Sequence, residues 1–115
     1  MRLKTALWVA AYLRRCQVEG VPGVVRRRGA EEAGAVFVRV NHLDGTSDLF
    51  GPAPQSAFDA AQGAARAFAP SLAAQSASDA AVEAYLARQV KFDPDVWIVE
   101  VEDRAARNFL DVIVG

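Results

Sequence analysis

Apolar and polar positions along the chain follow two periods. From the N-terminus, Leu3, Ala6, Leu7, Ala10 and Leu13 recur at helical spacing, and Val9, Leu13 and Cys16 widen the stripe. The pattern predicts a first helix that buries most of its surface. Trp8 and Tyr12 lie one turn apart on an adjoining face and read as core or dimer-contact aromatics rather than ligand-stacking ones. Pro22-Gly23 closes this region, and "VVRRR" (24–28) reads as a short strand. "AVFVRVN" (35–41) alternates at period two, with Val36, Val38 and Val40 on one face and Phe37, Arg39 and Asn41 on the other. Asp44-Gly45 then predicts a two-residue type I′ turn. That turn sets Leu43 against Thr46, His42 against Ser47, Asn41 against Asp48, Val40 against Leu49 and Arg39 against Phe50. Three antiparallel strands follow if "VVRRR" pairs with "AVFVRVN".

Pro52 and Pro54 in "GPAPQ" (51–55) predict a turn out of the sheet. Residues 56–76 are Ala-rich and open to two readings. Phe58, Ala61, Ala65 and Phe68 have helical spacing, Gly63 and Pro70 limit it, and "ARAFA" suits an extended strand equally. Ser78 is an N-cap for a helix through Val90 with Val82, Tyr85, Leu86 and Val90 as its apolar face, ended by Asp93-Pro94. "VWIVEVE" (96–102) is a strand, "NFLDVIV" (108–114) reads as another, and "DRAAR" joins them. This order argues an α+β fold: an antiparallel sheet of about four to six strands carrying two or three helices mainly on one face. Its 115 residues form one domain, 1–115.

Composition narrows the function classes. With 52% hydrophobic and 23% charged residues the chain is an ordinary globular one. A single cysteine, Cys16, excludes an internal disulfide, and with the single His42 it excludes zinc sites built from several thiolates or imidazoles. The basic, apolar N-terminus imitates an export signal, but Arg14 and Arg15 occupy the cleavage positions and the apolar run is too short for a span. The expectation is a cytoplasmic protein with no membrane association and no cofactor. Residues 1–40 carry eight basic and three acidic side chains, a net of +5, and the remainder nets −6. Such halves suit an anionic partner or each other, and the total of −1 favours self-complementarity.

"MRLKTALWVAAYLRR", "VNHLDGTSDLFGPAPQ" and "FDPDVWIVEVEDR" together resemble an uncharacterised family of short alphaproteobacterial proteins, domain of unknown function 1491. The resemblance spans nearly the whole chain and is weakest in the Ala-rich middle. It implies one bacterial cytoplasmic domain and transfers no catalytic residues.

Three constellations are candidates for chemistry. Ser47 and His42, cross-strand partners in the predicted register, with Asp44 or Asp48, imitate a hydrolase triad, yet no nucleophile-elbow sequence surrounds Ser47. Arg14, Arg15, Arg26, Arg27 and Arg28 could face phosphates, but alternation sends Arg26 and Arg28 one way and Arg27 the other, and the chain lacks the net positive charge of nucleic-acid binders. Asp95, Glu100 and Glu102 resemble a metal-dependent nuclease pattern in which Glu102 stands where the lysine should be. Glu100 and Glu102 share a strand face with Val96 and Ile98, about 7 Å apart, and would have to converge with Asp95 on one ion. Pairing of Glu100 and Glu102 with the N-terminal arginines is the plainer reading. The sequence therefore favours a binding or interaction module without catalysis that forms a homo-oligomer or engages another protein, with Arg14, Arg15, Arg26, Arg27, Arg28, Trp8, Tyr12 and Trp97 as interaction candidates. A metal-dependent hydrolase at Asp95, Glu100 and Glu102 is the alternative, and nucleic-acid binding through the arginines the third reading.

Overall fold

The computed structural model describes residues 3–54, 66–72 and 76–114. These form two helices, α1 (Thr5–Val18) and α2 (Asp79–Phe92), and seven strands: β1 (Gly23–Arg27), β2 (Val36–Asn41), β3 (Thr46–Pro52), β4 (Ala67–Pro70), β5 (Ala77–Ser78), β6 (Trp97–Glu102) and β7 (Val112–Ile113). The α+β class stands, but the sheet is mixed and larger than expected. Its order is β1-β6-β2-β3-β4-β7, with β5 also pairing to β3. The β6 strand enters between β1 and β2, antiparallel to the first and parallel to the second, so "VVRRR" does not pair with "AVFVRVN". β4 and β7 are parallel too. The apolar run Val96–Val99 suits a strand covered on both faces, whereas three arginines suit an edge.

The helices lie on opposite faces of the sheet, which corrects the expectation of one covered face. Val9, Tyr12 and Cys16 of α1 pack with Val36, Val38 and Val40 of β2 and Trp97, Val99 and Val101 of β6. Val82 and Leu86 of α2 pack with the alternate side chains Phe37, Leu49 and Ile98. Residues 36–40 are consequently all buried. Within α1 the buried side is Thr5, Val9, Tyr12 and Cys16, with Trp8 stacked on Tyr12 at 5.1 Å. Leu3, Leu7 and Ala10, expected inside, are exposed. Larger aromatic side chains cover more of the sheet than Leu3 and Leu7 would, and area decides which face is buried.

Local chemistry fixes the ends. Thr5 N–H donates to Glu32 O at 3.2 Å and Ala6 N–H to Glu31 O at 3.0 Å, so carbonyls of the 31–32 loop satisfy the start of α1. Ser78 Oγ accepts from Ala81 N–H at 3.2 Å, the expected cap of α2. Trp97 Nε1–H donates to Ala30 O at 2.8 Å. A Cβ on Gly29 or Gly34 would collide with the Asp95 carbonyl, so this crossing admits only glycine.

The β2–β3 hairpin is one residue out of its expected register. Val38 faces Phe50, Arg39 faces Leu49, Val40 faces Asp48 and Asn41 faces Ser47. Asn41 Oδ1 accepts from Leu43 N–H at 2.8 Å and Leu43 adopts φ 64°, which turns the Asp44-Gly45 pair into a three-residue loop. Pro52 stays in β3, opposite Phe68, as the last residue of the strand. Of residues 56–76, Ala67–Pro70 is strand, and the helical spacing of Phe58, Ala61 and Ala65 lies outside the described residues. "NFLDVIV" shortens to a strand of two residues, Phe109 having φ 56°.

Candidate interaction surface

Arg39 projects from β2 on the α2 side beside Glu100 of β6, its neighbour in the parallel register. Asp79 and Glu83, one turn apart at the start of α2, reach the same point. Arg39 Nη2 donates to Asp79 Oδ1 at 2.6 Å, Nε to Ser47 Oγ at 2.9 Å, and Nη1 to Glu83. Arg26 Nη1 donates to Glu83 Oε2 at 2.7 Å and to Glu100 Oε1 at 3.1 Å, while Asn41 donates to Glu100 Oε2. The Arg26 hydrogen bonds hold the Glu83 carboxyl below its ordinary range, and Glu83 in turn raises Arg26. Glu100 thus pairs with arginines of the basic half within one chain.

The five candidate arginines do not gather into a patch. Arg15 binds Asp111 at 2.9 Å and Phe109 O at 2.8 Å, tying α1 to the C-terminal segment. Arg27 donates to Pro94 O at 3.1 Å. Arg28 lies over the Trp97 ring at 4.9 Å. Arg14 is exposed at the rim of a groove between α1 and β1. A β-bulge between Val25 and Arg27 sets Arg27 opposite Ile98, on the same side as Arg26, so strict alternation fails there. Trp97 and Tyr12 are buried, and Trp8 is partly buried against Phe68. Tyr12 O–H donates to Asn108 O at 2.7 Å, and burial pushes its hydroxyl and the Cys16 thiol up in pKa.

Neither catalytic constellation assembles. Among the described residues no three of His, Cys, Asp and Glu stand close enough to share a metal ion. Asp95 sits in the turn before β6, where its carbonyl accepts from Ala30 N–H at 2.9 Å. The Glu102 side chain is exposed and makes no ion pair among the described residues. The one-residue shift of the hairpin places Ser47 and His42 on opposite faces of the sheet. Ser47 is bonded to Arg39, and His42 Nδ1 lies 3.0 Å from Thr46 Oγ1 with Nε2 3.2 Å from Asp48 Oδ2.

The sheet edge is the feature the pattern of apolar residues disguised. Among the described residues β1 is the terminal strand, with Val24 57% and Val25 39% exposed. On the neighbouring helix α1, Leu3, Leu7 and Ala10 form an exposed row continued by Arg14; Ala10 and Arg14 border β1, and Leu7 is 56% exposed. A groove lined by Ala10, Leu13, Arg14, Val21, Gly23 and Val24 separates the two. The helical periodicity did mark this row, but as core.

Solved structures share this fold along the whole chain. A crystal structure from Caulobacter crescentus CB15 is 35% identical, with 100% of both chains covered and a TM-score of 0.81. A solution structure from A. tumefaciens is 39% identical over 97% of this chain and 95% of that one, TM-score 0.80. An NMR structure from Caulobacter crescentus CB15 is 35% identical, with 100% of this chain and 99% of that one covered and a TM-score of 0.80. No curated protein matches the chain. Both Caulobacter structures are described as DUF1491 family proteins, and the model of that family, "Protein of unknown function (DUF1491)", matches residues 3–111: this chain belongs to the DUF1491 family.

Proposed function

We propose that this protein is a non-catalytic interaction module of the bacterial cytoplasm that associates with a second copy of itself through the free edge at β1. The observation that supports it most is the conjunction of a strand whose outer side pairs with no other strand among the described residues and carries exposed valines, with an exposed apolar row on the neighbouring helix. Unpaired edges are normally guarded by charge or a bulge. Here the arginines and the bulge guard only the C-terminal half of β1, and Gly23–Val25 is left open. No helix among the described residues is long and apolar enough to cross a membrane. The dispersal of the arginines into separate contacts argues against a phosphate-facing surface, and the separation of Asp95 from Glu100 and Glu102 argues against a shared metal.

Light scattering across a concentration series tests the reading. The expected result is a species of twice the 12.3 kDa chain mass at high micromolar concentration. A monomer throughout would overturn self-association.

A further inference from the structure

The backbone of β1 fixes how two copies can meet. Glu102 N–H donates to Pro22 O at 3.0 Å, and the β1–β6 register continues as Gly23 with Val101, Val24 with Glu100 and Val25 with Val99. Antiparallel ladders alternate hydrogen-bonded and non-hydrogen-bonded pairs. Pro22 and Val24 therefore turn their polar groups toward β6, and Gly23 and Val25 turn theirs outward. Beyond Val25 the bulge breaks the alternation, and before Gly23 the next outward position is Val21, whose N–H already donates to Cys16 O at 2.9 Å. The open ladder is consequently three residues long.

Resting on the self-association proposed above, we infer that two copies pair antiparallel through this segment in one register, with Gly23 of each opposite Val25 of the other and the two-fold axis at Val24. This register uses all four outward groups of each chain, and shifting by two residues in either direction runs into Val21, whose N–H is held by Cys16 O, or into the bulge. It also covers the exposed apolar surface. The two Val24 side chains meet on the α2 side, and each Val25 lies beside a glycine on the α1 side, next to the groove bounded by Leu13 and Ala10. Charge agrees with it. Pro22, Gly23, Val24, Glu100 and Glu102 line a small slot next to the edge. In this register the basic Arg26–Arg28 run of the second copy lies against that slot, where Glu102 has no side-chain partner among the described residues. The short ladder falls below the ~1,600 Å² of a standard interface, so Ala10 and Leu13, which border the groove on α1, are the apolar surface available to enlarge the contact.

Val24 at the axis is a non-hydrogen-bonded pair, with Cα atoms expected about 4.5 Å apart, within disulfide range. Val24→Cys, Val25→Cys and, as an exposed apolar position elsewhere, Leu43→Cys are made in a Cys16→Ala background and oxidised mildly. The expected result is that Val24→Cys becomes mostly covalent dimer, at least tenfold faster than either other variant, as read on non-reducing gels. Val25→Pro, which removes an outward N–H from each copy, should weaken the dimer at least tenfold by light scattering while circular dichroism stays native. A dimer in which Val24→Cys crosslinks no faster than Leu43→Cys would overturn this register and leave self-association standing. An unmodified protein that stays monomeric would overturn both.

Discussion

Replacing Arg39 by alanine removes a guanidinium whose side chain is only 5% exposed. Its four contacts do not count equally. Asp79 and Glu83 are almost half exposed and recover water when the arginine goes, so each pair contributes about 0.5 kcal/mol. Ser47 is fully buried and keeps only a 3.4 Å contact to Asp79, a loss of about 1–2 kcal/mol for an under-satisfied hydroxyl. Glu100, 14% exposed, retains Arg26 and Asn41 but loses the second cation at 3.6 Å, and the missing aliphatic stem leaves a void, together about 1–2 kcal/mol. The total is about 3–5 kcal/mol, or roughly 12–20 °C in Tm for a chain of this size. Thermal and urea unfolding at neutral pH and low salt, followed by circular dichroism, would measure it. Arg39→Lys should fall between wild type and Arg39→Ala, because lysine keeps the charge without the planar fork. A drop in Tm of less than about 4 °C for Arg39→Ala would refute the view that this arginine links α2 to the sheet.

Three further outcomes follow from other contacts. Glu83 has a folded pKa below its ordinary 4.5, so its stabilisation is complete above about pH 4.5 and is lost as pH falls through the depressed value. Glu83→Gln should flatten part of the acid limb of a Tm-against-pH curve, and an unchanged limb would contradict the Arg26 pairing. Gly29→Ala drives a Cβ into the Asp95 carbonyl and should lower stability by at least about 3 kcal/mol or prevent folding, measured by urea unfolding and soluble yield. Cys16 is inaccessible and its thiol pKa is raised by burial, so a thiol reagent should label it only as fast as the protein unfolds. Labelling within seconds in native buffer would contradict that placement.

Much of the local structure was legible because it depends on neighbours in sequence. The faces of β6 alternate as read, with Trp97, Val99 and Val101 toward α1, and Ser78 caps the second helix. The hairpin was legible except for its register. There the Asp44-Gly45 signal competed with the Asn41 side chain, which reaches Leu43 N–H and takes one more residue into the loop. In α1 the Leu3, Leu7 and Ala10 row and the Val9, Tyr12 and Cys16 row are both apolar at helical spacing, and only the tertiary context chooses between them. Strand order was not legible, because the pairing of Val36–Asn41 with Trp97–Glu102 joins segments about 60 residues apart with no local signal for it. The free edge was hidden by the same gap: seeing β1 as terminal requires knowing that β6 fills the place beside it.

The central position of β6 also dictates the timing of folding in the cell. As the chain leaves the ribosome, β1 and β2 emerge early with an unfilled lane between them. Among the described residues, the strand that fills it is Trp97–Glu102. The nascent chain must carry the apolar run Val36–Val40 through most of its synthesis with one side of β2 unpaired. The sheet closes only when residue 102 is free of the exit tunnel, so a stalled or truncated chain lacking β6 is not a smaller version of this protein: β1 is left without its partner strand and β2 with an open side.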